Sequence, residues 1–517
     1  MPQHHWANLR TDNEVDYILD ALAYDNDTNY VIVVYQTPGD AASGDRFSVM
    51  EIYRDNGSVQ NHYWDYPINL SFSGIGTPTC ALYVHSDNRV YIGTDTGYIV
   101  GINPDSNIVE SNIRVTTTAE GSDGIAIRHL YYDSSSGKFI IGGDGRSTGY
   151  SYIIAVDRLY GSSSDVGDAP SVLGATYVYA AGTRFQTLWS VSTGGIDVAY
   201  LKDQNRHLLV AGYDSSGSQG AVYNLTTSYP FSLGDYNPGL YLDQANGYLY
   251  AAAPLRDSNG YDDTVIAVFY LHGSTTHPLT PSGAWNVSAP GRSVDGVSLL
   301  GASGTYYLVG TTQIVNASMV NISMLQVQFD PSTGDPPQAL NAWVLGGQYD
   351  EETLSSGWST LSDYLYIGAS TRSFSDYYNT TLGMPGQSIL VVMASPSLSN
   401  DTYAWQGTPP AVSYPSNGLV ANSYTNPPVS INQFTSYGPA SGVTVSSYPT
   451  SGVSIDNVEP VNQISYTGGA VTNHTGQTTD PAGPPTPVPE IGVPLALAVG
   501  AAAVIVYFML THGKTGS

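Results

Sequence analysis

Asn88-Arg-Val-Tyr-Ile-Gly-Thr-Asp-Thr-Gly-Tyr-Ile-Val-Gly-Ile-Asn-Pro-Asp105 decides the fold. It reads as two short strands of β-branched and aromatic residues joined by a polar turn, Asp-Thr-Gly. Its first half, a polar turn followed by an aromatic-rich run that ends on Gly or Ala, recurs along the chain. The instances are Asn29-Tyr-Val-Ile-Val-Val, Asn88-Arg-Val-Tyr-Ile-Gly93, Gly137-Lys-Phe-Ile-Ile-Gly142, Arg206-His-Leu-Leu-Val-Ala-Gly212, Gly247-Tyr-Leu-Tyr-Ala-Ala252, Thr305-Tyr-Tyr-Leu-Val-Gly310 and Asp363-Tyr-Leu-Tyr-Ile-Gly368. Most have a strand-like run before them, as Ala81-Leu-Tyr-Val, and another after, as Tyr152-Ile-Ile-Ala-Val. A hairpin plus a further strand, repeated seven times, predicts an all-β chain with a seven-bladed β-propeller over residues 1–405. An array of β-sandwiches is the alternative. Measured from Val34 through Gly93, Gly142, Gly212, Ala252 and Gly310 to Gly368, the spacings are 59, 49, 70, 40, 58 and 58 residues, so long loops are expected. The small residue ending each run is predicted to permit close approach near the crowded axis.

The segment from Val90 to Asp105 resembles a blade of the PQQ-like and YVTN-type propellers, the latter common among archaeal surface proteins. The resemblance spans roughly residues 20–395 and implies a propeller. Neither the tryptophan-docking motif of the PQQ type nor the letters YVTN occur, so no cofactor is predicted. Thr486-Pro-Val-Pro-Glu-Ile-Gly, followed by an apolar run, is similar to archaeal sorting tails of the Pro-Glu type, although a single Lys514 replaces their basic cluster.

That apolar run, residues 491–510, holds no charge for twenty positions and at about 1.5 Å per residue spans roughly 30 Å of hydrocarbon. A single transmembrane helix over residues 490–511 is expected, with a tail at 512–517. Lys514 beyond it and Glu490 before it place the tail inside and the bulk of the chain outside. Ala496 and Gly500 form a small-xxx-small pair that could associate helices. The first 25 residues contain no apolar stretch of signal-peptide type, so cell-envelope and virion membranes both stay open. Residues 406–489 carry 13 of the 31 prolines and no basic residue, and read as a Pro/Ser/Thr-rich stalk. Within it, Val443-Thr-Val-Ser, Val453-Ser-Ile and Gln463-Ile-Ser-Tyr are strand-like and suit a small β module or pairing with neighbouring subunits.

Only 11% of residues are charged, and 16 basic against 43 acidic side chains give a net charge of -27. Nucleic acid is excluded as a partner, because phosphate neutralisation needs clustered Lys and Arg. A surface that relies on Ser, Thr, Asn and 41 tyrosines for solubility changes little with pH, which suits an acidic, hot habitat, with simple lineage bias in composition as the alternative. Cys80, the sole cysteine, lies in an apolar run and is expected to be a buried structural thiol. Asn-x-Ser/Thr acceptors stand at Asn26, Asn56, Asn69, Asn224, Asn286, Asn316, Asn321, Asn379, Asn400 and Asn473, in segments read as loops. Asp257, Asn259, Asp262 and Asp263 gather oxygen ligands in one loop and form the best candidate calcium site, with an ordinary solvated turn as the alternative. No Ser/His/Asp arrangement, phosphate loop or zinc spacing is present. The expected function is therefore recognition, attachment or envelope structure by a membrane-anchored surface protein whose partners are glycans or surface proteins. A surface hydrolase or lyase with its site in the propeller channel is the competing class.

Overall fold

The computed structural model describes strands and turns between Trp6 and Asn457. Outside the described residues lie 1–5, 458–517 and connecting segments that include 160–169, 225–238, 257–261, 313–320 and 407–418. Two compact units divide the chain at Gln477, and every described residue belongs to the first.

Among the described residues are seven sheets of four or more strands and one two-stranded ribbon. In chain order the sheets span residues 17–67, 78–117, 125–179, 184–224, 239–288, 294–345 and 351–394, numbered 1 to 7 below. Each is an antiparallel meander. The first strands of successive sheets lie against one another, and the first strand of sheet 1 lies against that of sheet 7. The N-terminal strand Trp6–Arg10 returns to pair with Ser388–Ala394 and becomes the fourth strand of sheet 7, so the two ends of the meander series are joined in one sheet. This arrangement is an all-β propeller.

The recurring motif follows from this packing. Neighbouring sheets pack face to face, and the inner strands between them are buried nearly end to end in sheets 2 and 3: Arg89–Thr94 is buried at every position but the first, and Ser151–Val156 throughout. Burying one Val, Ile or Leu side chain contributes about 1.5–3 kcal/mol, which explains the β-branched and aromatic content. The polar turn before the motif requires a left-handed backbone. Asn88 (φ 51°), Gly137 (φ 69°) and Gly247 (φ 72°) occupy it in sheets 2, 3 and 5, and these residue types tolerate that region. At Gly93 the terminal small residue permits close contact between sheets. A Cβ on Gly93 would stand 2.5 Å from Ile127 Cγ2 of sheet 3 and 2.8 Å from Cys80 Sγ. Cys80 is a free, buried thiol in that core.

The repeat is more regular than the motif suggests. In sheet 4 the segment starting at Arg206 yields the third strand, Leu208–Asp214, while the second is Ile196–Lys202, whose Asp-Val-Ala-Tyr lacks the final glycine. Equivalent second-strand positions are therefore Val34, Gly93, Gly142, Tyr200, Ala252, Val309 and Gly368, at intervals of 59, 49, 58, 52, 57 and 59 residues. In sheets 1, 2, 3, 4, 6 and 7 the partner of that position directly follows a bulge in the first strand, for example between Pro78 and Cys80 and between Ile127 and His129. A bulge adds one residue and sharpens the local twist. In sheet 2 the added residue, Thr79, donates its hydroxyl to the Ile127 carbonyl of sheet 3 and so ties the two sheets together.

The expected stalk departs from the structure over residues 419–457. These residues do not form a separate β module but run back along the outer edges of the sheets. Thr402–Gln406 pairs in parallel with Trp6–Arg10 in sheet 7. Asn422–Thr425 then adds a fifth strand to sheet 6, Ser430–Gln433 to sheet 5, Gly438–Pro439 to sheet 4, Thr444–Ser447 to sheet 3 and Val453–Asn457 to sheet 2. The physical reason is the open hydrogen-bonding edge of each fourth strand, which short runs rich in Ser, Thr and Asn satisfy while β-branched residues reach the core. Val453 and Ile455 are buried between sheets 2 and 3. Within residues 419–457, Pro427, Pro428 and Pro449 fall in the links between these strands, while the proline-rich stretch from Thr475 to Glu490 lies outside the described residues.

Candidate functional site

The most organised polar and aromatic constellation among the described side chains lies where sheets 2 and 3 meet the C-terminal belt. Glu120 sits in the connection from Ile108–Thr117 to Ile125–Asp133, with its carboxylate buried. Its Oε2 accepts from the Ser147 amide (2.7 Å), the Ser147 hydroxyl (2.8 Å) and the Thr148 amide (3.2 Å). Its Oε1 accepts from the Tyr152 hydroxyl (2.9 Å) and the Thr148 hydroxyl. Gly145 makes this possible, since a Cβ there would stand 2.1 Å from Oε1. Burial alone would raise the carboxyl's pKa. The donors from Thr148, Ser147 and Tyr152 outweigh it and hold Glu120 below the ordinary carboxylate value. Tyr152 moves the other way: burial raises its phenol, and the Glu120 charge adds to the rise.

Above this knot lie five tyrosines. Tyr152 pairs with Tyr177 across neighbouring strands, so Tyr150, Tyr152, Tyr177 and Tyr179 fall on one face by the period-two rule. Tyr150 stacks on Tyr177 at 4.7 Å and meets Tyr179 edge-on at 5.3 Å. Tyr448, from the belt, stands edge-on to Tyr152 at 5.5 Å and to Tyr177 at 6.3 Å. Its hydroxyl accepts from the Ala119 amide at 3.1 Å and shares a hydrogen bond with Thr118 at 2.9 Å. Exposure is graded across the group. Tyr152 is fully buried, Tyr150, Tyr177 and Tyr448 are half-buried, and Tyr179 is 39% exposed. Such a patch is a rigid aromatic floor whose outer rim offers ring faces and hydroxyls to a ligand.

The central side of the sheets looks different. On Ile125–Asp133, the bulge residue Arg128 reaches the buried Asp144 (Nε to Oδ2, 3.3 Å), whose other oxygen accepts from Ser151 at 3.0 Å. Next to it, burial pushes the His129 imidazole down to about 4, so it is neutral at ordinary pH. A second tyrosine group, with Tyr306 donating to Tyr250 at 2.7 Å, is fully enclosed between sheets 5 and 6 and acts as core.

No family model and no curated protein matches the chain. Among solved structures it is similar to the WD40 repeats of RRP9, at 10% identity over 75% of this chain and 97% of that one, with a TM-score of 0.41. It is likewise similar to U3-55K, at 10% identity, 75% and 98% coverage and a TM-score of 0.40. The fold assignment rests on strand pairing, not on these likenesses. The resemblance to YVTN and PQQ-like chains holds as far as a β-propeller, and no particular family is shown.

The described residues among those singled out by sequence do not meet at this patch. Asp262 and Asp263 begin the strand Asp262–Leu271, opposite Arg256 and Leu255, while Asp257 and Asn259 lie outside the described residues. Among the described residues no group of three or more His, Cys, Asp or Glu is placed to hold a metal. Four acceptor asparagines lie in strands rather than loops: Asn224, Asn286, Asn321 and Asn379. Asn286 is half-buried with strands on both sides, facing Val265 and Asn432, a poor position for a glycan. Asn26, Asn56, Asn69, Asn316, Asn400 and Asn473 lie outside the described residues. No described helix is long and apolar enough to cross a membrane, and residues 490–511 lie outside the described residues. The tyrosine floor went unread, although Tyr150/Tyr152 and Tyr177/Tyr179 at i, i+2 were its visible signal.

Proposed function

We propose that the seven sheets are the blades of one closed ring, and that this ring is a non-catalytic recognition or attachment module, anchored in a cell-envelope or virion membrane by residues 491–510. The graded tyrosine floor carries this reading. Exposed Tyr rings backed by buried ones present contact area at small entropic cost, because the cluster already fixes their side-chain rotamers. Their flat faces suit the apolar side of a sugar ring, and their hydroxyls suit its polar edge. A chain of net charge -27 also favours neutral glycans over anionic ones. The apolar segment and its Thr486-Pro-Val-Pro-Glu-Ile-Gly approach fit a surface tether.

The full chain in detergent micelles is tested on a glycan array and on intact cells. Binding that falls at least about tenfold in Tyr179→Ala and Tyr150→Ala, with the thermal midpoint of Tyr179→Ala unchanged, is expected. Absence of binding together with hydrolytic or lytic turnover of a polysaccharide would overturn the proposal in favour of a channel enzyme.

A further inference from the structure

Among the described residues, one large sheet lacks what the others have. Sheet 1 consists of Tyr17–Leu22, Tyr30–Thr37, Arg46–Tyr53 and Val59–Pro67, and no further strand lies on the outer edge of Val59–Pro67. The belt visits sheets 7, 6, 5, 4, 3 and 2 in that order, and the next edge in the series is that of sheet 1.

We infer that residues 463–466 form a seventh belt strand on the open edge of Val59–Pro67. Links of four or five residues join the belt strands from Asn422–Thr425 onward: 426–429, 434–437, 440–443 and 448–452. After Asn457 the same step starts the next strand at position 462 or 463. Gln463-Ile464-Ser465-Tyr466 stands there and resembles the belt strand Ser430-Ile-Asn-Gln433, with one β-branched residue among polar ones. Proline recurs in the links as well, with Pro427 and Pro449 before earlier strands and Pro460 before this one.

The register is specified too. On sheets 2, 3, 4 and 5 the first belt residue faces the last residue of the fourth strand: Val453 faces Thr117, Thr444 faces Tyr179, Gly438 faces Asn224 and Ser430 faces Ser288. All of these pairings are antiparallel. Applied to sheet 1, the rule sets Gln463 opposite Pro67, Ile464 opposite Tyr66, Ser465 opposite Asp65 and Tyr466 opposite Trp64. Pro67, which has no N–H to offer, then lies at a strand end, where proline is tolerated. This strand satisfies the edge that would otherwise template association with another chain.

Hydrogen exchange on the unmodified full chain is the first test. The amides of residues 464–466 should exchange at least about tenfold more slowly than the rates intrinsic to their sequence in an unfolded peptide. Paired cysteines are the second: Asp65→Cys with Ser465→Cys, and Tyr66→Cys with Ile464→Cys. Facing residues in an antiparallel pair lie about 4.5–5.5 Å apart at Cα, within disulfide reach. At least one pair should oxidise within a single chain. Free-chain exchange at 464–466, or cross-links that join two chains instead of one, would overturn the inference, the latter pointing to a second copy on this edge.

Discussion

Replacing Glu120 by Gln tests whether the carboxylate knot organises the junction of sheets 2 and 3 and the belt. The amide keeps the size but presents only one acceptor oxygen. Its NH2 must then face either the two Ser147 donors and the Thr148 amide, or the Thr148 and Tyr152 hydroxyls. Ser147 is exposed and Thr148 half-buried, so water can replace part of what they lose, whereas the ring of Tyr152 is fully buried. Loss of charge assistance on the remaining bonds costs about 1 kcal/mol, and either backbone amides left facing a donor or hydroxyls forced to accept and so deprived of their own acceptor cost about 1–3 more, so Glu120→Gln should destabilise by about 2–4 kcal/mol. Equilibrium urea unfolding of the full chain measures the total. A ring of repeats can open in stages, so exchange at the Ser147 and Thr148 amides supplies the local readout. The wild-type contribution is present above pH about 4.5 and disappears as pH falls through the lower folded value of Glu120, and the variant should lose that acid sensitivity. A change below about 0.5 kcal/mol with unaltered exchange would refute the reasoning, since surface substitutions typically do no more.

A depressed imidazole gives His129 the opposite profile: the unfolded chain takes up a proton below pH 6.5 that the folded chain refuses until about 4. Stability should therefore fall across that window by at most about 3 kcal/mol, and His129→Gln should flatten the slope in urea unfolding measured from pH 7 to pH 4. Gly93→Ala places a methyl 2.5 Å from Ile127 Cγ2 and 2.8 Å from Cys80 Sγ and should cost about 1–3 kcal/mol in the same assay.

Legibility differed sharply between elements. The second strands were read from six of seven motifs because burial on both faces leaves a continuous apolar run behind an Asn or Gly turn. Sheet 4 misled, since its second strand, Ile196–Lys202, ends in Leu-Lys while its third carries the Ala-Gly signature. The belt was misread for a thermodynamic reason. Two to five residues on a sheet edge need little hydrophobicity of their own when the partner strand already exists, so their composition resembles that of a spacer. The tyrosine floor and Glu120 were missed because the contacts join positions 120, 152, 179 and 448, and nothing local marks their meeting.

By itself the sequence determined that the chain is all-β, that a short strand unit repeats, and that a charge-free apolar segment stands near its end. These are periodic or compositional properties, carried by each residue's own solvation and backbone preferences. Only the tertiary structure decided that Trp6–Arg10 completes sheet 7, that residues 419–457 run back over the sheet edges, and that five tyrosines meet above one carboxylate. Each of those depends on hydrogen-bond edges and ring faces brought together across hundreds of residues, a pairing that no local pattern encodes.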